Sequence, residues 1–353
     1  MKILVTGGLG YVGSHTVVGL AQAGHEVVIV DNLANSELSV LRRLDALCGT
    51  EPMFHLGDVR DAAFLRRVLA RYRFDGVIHF AGLKSVADST RTPLDYYDVN
   101  VGGSLTLLAA LRDAHVPRFV FSSSATVYGD PHTVPIPESH AIAPVNPYGR
   151  SKAAVERILE DLCCSEASWS AVSLRYFNPA GAHPSGLIGE RPSGVPNNLM
   201  PYISQVGAGQ RDRLRIFGDD YPTRDGTGER DYIHVMDLAE AHLLAIGYAA
   251  ANHGYECINL GTGQGYTVLE VVRAYERVNK LRIPCELAPR RPGDVASCFA
   301  DVEHARRRLR WKARRTLDDM CQDAARFESQ QSGPAVTEQA VPPSANALRS
   351  DSV

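Results

Sequence analysis

Residues 2–14 read Lys2-Ile3-Leu4-Val5-Thr6-Gly7-Gly8-Leu9-Gly10-Tyr11-Val12-Gly13-Ser14. The short apolar run Lys2–Thr6 predicts a strand buried on both faces. A helix is expected over Ser14–Ala23, closed by Gly24. Between them the glycines satisfy both GxGxxG (Gly8, Gly10, Gly13) and GxxGxxG (Gly7, Gly10, Gly13). In a strand–turn–helix unit such glycines let backbone N–H groups approach a pyrophosphate at the helix N-terminus, where a Cβ would obstruct it. The next predicted strand, Val27–Asp31, ends in an acid. A carboxylate there can accept hydrogen bonds from both ribose hydroxyls and repels a 2′-phosphate, which favours NAD over NADP.

The same alternation continues outward from this unit. Pro52–Leu56, Gly76–Phe80, Arg118–Ser122 and Ala171–Tyr176 read as strands, with helical stretches over 61–71, 93–114 and 148–164. The expected class is α/β: a doubly wound parallel sheet (Rossmann) with a smaller C-terminal α/β substrate-binding domain. After residue 177 the segments Asn178–Gly194 and Gly218–Gly228 are rich in Gly and Pro and suit a substrate-binding cap. A helix over Asp237–Ala249 and a strand over Cys257–Leu260 return the chain to the sheet. The cofactor domain is therefore placed at 1–177 with a returning segment of about 233–262, and the substrate domain at 178–232 and 263–328. The last helix starts at Thr316 with Asp319 completing a capping box. Residues 329–353 are rich in Gln, Ser, Pro and Ala without a period and are expected to be disordered.

Composition narrows the function classes. Of 353 residues 44% are hydrophobic and the net charge is −3, which argues against a nucleic-acid or membrane-surface binder. No apolar run approaches the roughly 20 residues of a membrane span, and residues 3–5 are too short for a signal peptide. Seven scattered cysteines without a CxxC pair indicate a reduced, cytoplasmic protein. No HExxH or Cys/His cluster predicts a metal site. The basic run from Arg306 to Arg315 reads as a solvated face.

Tyr148-Gly149-Arg150-Ser151-Lys152 places a phenol and an ammonium four residues apart, on one face of a helix. A tyrosine near its reference pKa of about 10 is a poor base at neutral pH, and a nearby cation favours the phenolate. Ser122-Ser123-Ser124 ends the fifth strand, and ligands of open parallel sheets bind beyond the carboxyl ends of the strands. Ser124 and Tyr148 can thus face the nicotinamide end of one cofactor.

With these residues in hand, the chain resembles the extended short-chain dehydrogenase/reductase superfamily and, within it, the UDP-glucose 4-epimerase family. The resemblance rests on residues 7–15, Asp31–Leu33, His79–Lys84, Ser122–Gly129, Tyr148–Lys152, Leu174–Gly186, Pro196–Tyr202, Gly226–Asp237 and Pro289–Asp294, and spans about residues 1–327. It implies reversible C4 epimerisation of UDP-glucose and UDP-galactose through a transient 4-keto sugar, with tightly held NAD as a resident catalyst. Tyr148 would take the proton of the sugar 4-hydroxyl, Ser124 would bond the same oxygen, and Lys152 would bridge the nicotinamide ribose and lower the phenol pKa. The resemblance places Gly7, Gly10, Tyr11, Val12, Gly13, Asp31, Asn32, Asn35, Ser36, Asp58, Val59, Phe80, Ala81, Gly82, Lys84, Lys152 and Tyr176 at the NAD. It places Asn178, Asn197, Asn198, Leu199, Ile216, Phe217, Arg230, Arg291 and Asp294 at the UDP-hexose, with both arginines on the diphosphate. Cys298 falls where some members carry a tyrosine, so UDP-GlcNAc and UDP-GalNAc are implied as further substrates. Val99-Asn100 falls where members vary between Val-Asn and Asn-Asn, and that cofactor contact is left unassigned. A homodimer through the helices near 93–114 and 148–164 is implied.

Three competing readings remain. A sugar-nucleotide 4,6-dehydratase needs an acid/base pair just after the catalytic hydroxyl, and here Ala125-Thr126-Val127 follow Ser124. A net NAD-dependent oxidoreductase would release NADH. A silent NAD-binding protein would have no need of Tyr148, Lys152 and Ser124 together.

Overall fold

The structure, a computed structural model, describes residues 1–192, 194–291 and 293–331. Seven parallel strands form the central sheet: β1 (Lys2–Thr6), β2 (Glu26–Asp31), β3 (Met53–Leu56), β4 (Gly76–His79), β5 (Arg118–Ser124), β6 (Ser170–Tyr176) and, after an excursion, β10 (Gly254–Leu260). Their spatial order is β10-β6-β5-β4-β1-β2-β3. The order reverses between β1 and β4, the switch point at which doubly wound sheets open a ligand crevice.

Alternate residues of each strand feed two cores. Ile3, Val5, Val27 and Ile29 pack with α1 (Tyr11–Gln22), α2 (Ser39–Cys48) and α9 (Val235–Ala251). Leu4, Val28 and Val30 pack with α3 (Ala62–Arg71), α6 (Gly103–Asp113) and α7 (Pro147–Ser165). Short helices α4 (Val86–Arg91) and α5 (Pro93–Tyr96) lead into α6.

A third core lies beyond the carboxyl edge. It joins α8 (Leu199–Gly207), α10 (Val268–Asn279) and α12 (Leu317–Gln331) to β8 (Leu214–Phe217), which pairs with β12 (Cys285–Ala288). Beside it β9 (Glu229–His234) is flanked by β7 (Asn178–Ala180), β11 (Gly265–Thr267) and β13 (Ser297–Cys298), and α11 (Glu303–Leu309) follows.

Several sequence expectations need correction. The helix expected over 93–114 is interrupted by a π-helical turn, Tyr97–Gly102, because Asn100 turns inward to bond other segments. The first helix starts at Tyr11 rather than Ser14, with Gly10 as its N-cap. β3 begins at Met53 rather than Pro52, and Asp58 and Val59 follow its end. Of the basic run only Arg306–Leu309 is helical, at the end of α11. α12 carries the predicted capping box at Thr316 and Asp319 but continues to Gln331, so Ser329–Gln331 belong to it. The remainder of the expected tail, 332–353, lies outside the described residues. Among the described residues no helix is long and apolar enough to cross a membrane.

Candidate active site

The glycine turn meets the requirements of a dinucleotide diphosphate. Gly7 has φ +71° and a Cβ there would lie 2.6 Å from the Ala81 amide nitrogen, while one at Gly13 would lie 2.2 Å from the Gly7 carbonyl oxygen. Neither position admits a side chain. Gly10 caps α1 without a side-chain bond, so the first-turn amides of α1 carry no capping side chain. Tyr11 and Val12 sit in that turn, and the Tyr11 hydroxyl donates to the Gly181 carbonyl at 2.7 Å. Leu9, Gly10, Tyr11, Asn35, Ser36, Arg43, Lys84 and Glu190 line one continuous cleft.

Asp31 is buried at the end of β2. Its carboxylate accepts from Leu9 N (3.0 Å), Leu33 N (2.9 Å) and the Ser36 hydroxyl (2.9 Å). About one of its roughly four lone-pair positions is left for a ribose hydroxyl, fewer than the two the sequence suggested. Its charge still opposes a 2′-phosphate. Asn32 donates to Asp58 at 3.0 Å, and Arg60 clamps Asp58 at 2.8 Å and Asp98 at 2.6 Å. These contacts hold the Asp58 carboxyl far below its usual range. Val59 is buried and backs onto Gly103. Phe80 packs against His242 at 4.7 Å between centroids, and Ala81 N donates to Thr6 O at 3.1 Å. Gly82 leaves space for Asn100, whose Oδ1 would be 2.9 Å from a Cβ there.

The reactive triad comes together where β5 meets α7. Asn146 caps α7 by accepting from Gly149 N at 2.8 Å, which fixes Tyr148 and Lys152 in its first two turns. Ser124 neighbours Tyr148, whose pKa it lowers against the effect of burial, and accepts from the Thr126 hydroxyl at 2.9 Å. Lys152 Nζ donates to the Ser122 carbonyl at 2.7 Å and stands 5.9 Å from the Tyr148 ring centre. Tyr176 donates to the Ser122 hydroxyl. Burial pushes the Tyr148 phenol up to about 12 and the Lys152 ammonium down to about 8. This departs from the expected depression of the phenol. The lysine is itself desolvated and tied to a carbonyl, so its charge does not outweigh the burial of the tyrosine.

The nucleotide candidates lie around the four-stranded sheet and α8. Asn178 pairs with Tyr232 across β7 and β9, and Cys298 is the β13 register partner of Arg230. Arg230 donates to the Glu229 carbonyl at 2.8 Å. Arg291 pairs with Asp294 at 3.1 Å and its guanidinium lies 4.6 Å from the Phe217 ring centre. Both cations act on the Tyr232 hydroxyl, so they share one region. The Ile216 side chain departs from expectation: it is buried in the third core, which leaves only its backbone for a ligand. Leu199 packs partly against the same core at the start of α8. Asn198 is the N-cap of α8 yet does not cap it, because its amide donates to Glu190 at 2.7 Å. That leaves the α8 amides without a side-chain cap. Asn197 donates to Ser85 at 3.2 Å.

Sequence reasoning missed several supporting residues. Asn100 accepts from Leu83 N at 2.7 Å and donates to Ser151 at 3.0 Å, tying the β4 turn to α7. Tyr96 stacks edge-on to Tyr148 at 6.5 Å and bonds the Ser85 carbonyl. Beneath Ser124, Ser123 donates to Glu156 at 2.5 Å, and Glu156 is paired with buried Arg175 at 2.6 Å. Only Asn100 had a usable signal, its place at the start of a predicted helix.

The geometry is matched by known proteins. The family model described as GDP-mannose 4,6 dehydratase matches residues 4–324. A UDP-glucose 4-epimerase of Neisseria meningitidis serogroup C is 53% identical over 329 residues, 93% of this chain and 97% of its own. A UDP-glucose 4-epimerase crystal structure from Stenotrophomonas maltophila, with bound NAD and formylated UDP-arabinopyranose, superposes with a TM-score of 0.93 at 50% identity, over 94% of this chain and 99% of that one. The Bifidobacterium longum UDP-glucose 4-epimerase in complex with NAD+ and UDP gives 0.91 at 46% identity, over 94% and 98%. This chain belongs to the UDP-glucose 4-epimerase family.

Proposed function

We propose that this chain interconverts UDP-glucose and UDP-galactose by inverting the sugar C4. The observation that carries this is the meeting of Tyr148, Ser124 and Lys152 at the carboxyl end of β5, alongside the glycine turn of β1. Bound NAD supplies the acceptor, and then the donor, of the hydride at C4. Tyr148 takes and returns the proton of the 4-hydroxyl. Ser124, beside the phenol, holds the sugar oxygen in line with it. Lys152 orients the cofactor ribose and keeps a cation beside the phenol. Arg230 and Arg291 anchor the diphosphate while the 4-keto sugar turns about its link to it. Residues 1–177 and about 233–262 hold the cofactor, and 178–232 with 263–328 hold the nucleotide sugar. The protein acts as a cytoplasmic homodimer, with exposed Leu94, Tyr97 and Leu105 on the contact surface.

The test is purified protein with UDP-galactose and no added NAD. UDP-glucose accumulates and no free NADH appears. A steady NADH signal would instead mark a net oxidoreductase. Elimination has no support in the turn after Ser124, whose residues Ala125–Tyr128 bring no carboxylate.

Cys298 sets the sugar range. Its small, half-buried side chain lies in β13 opposite Arg230, and burial keeps it a thiol by pushing its pKa up to about 11. We expect turnover of UDP-GlcNAc as well as UDP-glucose. Cys298→Tyr should reduce the acetamido activity by about 10- to 100-fold and the glucose activity by less than about threefold, since filling a pocket costs about 1–3 kcal/mol of discrimination. Parallel progress curves on the two sugar pairs read this, and equal loss on both would refute it.

A further inference from the structure

Residues 182–192 cross the cofactor cleft as a strap. Ala182 and Gly189 form a β-bridge, His183 N donates to Ile188 O at 3.0 Å, Arg43 donates to the Leu187 carbonyl at 3.2 Å, and Phe327 packs under Gly189. Glu190 lies in this strap with its side chain buried. Its Oε1 accepts from Lys84 Nζ at 2.7 Å and from Asn198 Nδ2 at 2.7 Å. Its Oε2 is buried and has no hydrogen-bond partner.

A buried carboxylate with one oxygen doubly used and the other unpaired is a poor device for stability. Its two partners explain its position better. Lys84 lines the cofactor cleft together with Gly10 and Tyr11. Asn198 stands at the N-terminus of α8, turned away from capping its own helix. Building on the proposed function, which puts NAD in the cleft and UDP at α8, we infer that Glu190 is a positioning residue linking Lys84 to Asn198, so that UDP binding tightens retention of NAD. A nucleotide diphosphate ordering Asn198 fixes Glu190, and a fixed Glu190 holds Lys84 beside the cofactor. Ordering one end reduces the ordering left for the other.

The experiment follows NAD loss from the purified holoprotein, quantified by chromatography after acid release, with and without saturating UDP. In the wild type UDP slows the loss about tenfold, a coupling of ordinary size. In Glu190→Gln, which removes the charge facing Lys84, the slowing falls below about twofold. Asn198→Ala, a change at an exposed position, cuts the link from the other end and gives the same result, so the inference stays testable if the first variant fails to fold. The inference is overturned if either folded variant keeps the wild-type slowing, or if the wild type shows none. A lower melting temperature with the slowing intact also overturns it, because Glu190 then only holds the strap. The measurement needs no turnover, so a protein that binds NAD and UDP but epimerises nothing would sink the proposed activity and leave this test standing.

Discussion

Tyr148→Phe should lower kcat for UDP-galactose by about 10²- to 10⁴-fold, the range of positioned proton transfer, and leave NAD content and UDP affinity within about twofold of the wild type. The hydroxyl is the only atom removed, and the side chain bonded to Ser124 cannot replace it: the Thr126 hydroxyl uses its proton on Ser124 itself. Burial pushes the phenol up to about 12, with Ser124 lowering it and Tyr96 raising it further. Lys152 therefore does not prepare a phenolate unaided. NAD held at the glycine turn would bring a further positive charge to this end of the cleft, where Tyr148 and Lys152 would hold and move the proton. Steady-state kinetics with chromatographic determination of bound NAD checks the result. A variant with kcat within threefold or so of the wild type would exclude Tyr148 as the proton-transfer group.

How much of this was legible in the sequence depends on the length scale of each interaction. The Tyr148–Lys152 pair was readable because spacing within two helical turns fixes direction, and the glycine turn and Asp31 because a strand–turn–helix followed by a strand ending in an acid is a local order of elements. The seven-stranded sheet was readable because strands buried on both faces are continuous apolar runs. The π-helical turn at Tyr97–Gly102 was not, since its cause is tertiary: Asn100 reaches back to Leu83 and across to Ser151. Gly102 at its end marks a weak point for a helix but not a π-helical turn. Glu190 was equally hidden, because its partners are 106 and 8 residues away and its loop has no period. Ile216 misled for the opposite reason. It matches a family position, yet alternation along β8 turns its side chain into the core and leaves Phe217 half-exposed. The expected depression of the Tyr148 phenol by Lys152 does not appear, because the same burial acts on both groups.

That shared burial makes Lys152→Met a test with two readouts. Activity should fall by about 10²- to 10³-fold, because the cation beside the phenol is lost. Stability should move the other way. The buried ammonium is held down at about 8 from an ordinary 10.5, mainly by desolvation and against the attraction of Glu156. At roughly 1.4 kcal/mol per pKa unit, keeping it charged destabilises the fold by about 3 kcal/mol near neutral pH. Methionine removes that burden and keeps most of the packing against Phe121, whose ring centre lies 4.8 Å from Nζ. It also orphans the Ser122 carbonyl, at a cost of about 1–3 kcal/mol. The net is a stabilisation of about 1 kcal/mol at about pH 7 in protein freed of bound nucleotide. The sign then changes with pH. A lysine whose folded pKa is lowered carries its full penalty below the folded value and loses it as pH rises from about 8 towards 10.5. Across that window the wild type gains stability relative to Lys152→Met, while the neutral amine still donates to Ser122. By about pH 10 the variant should be the less stable of the two. Urea denaturation of both proteins at several pH values measures this crossing. A difference that stays constant between about pH 7 and 10 would mean that Lys152 is not buried as a charged group, and its place beside Tyr148 would need another explanation.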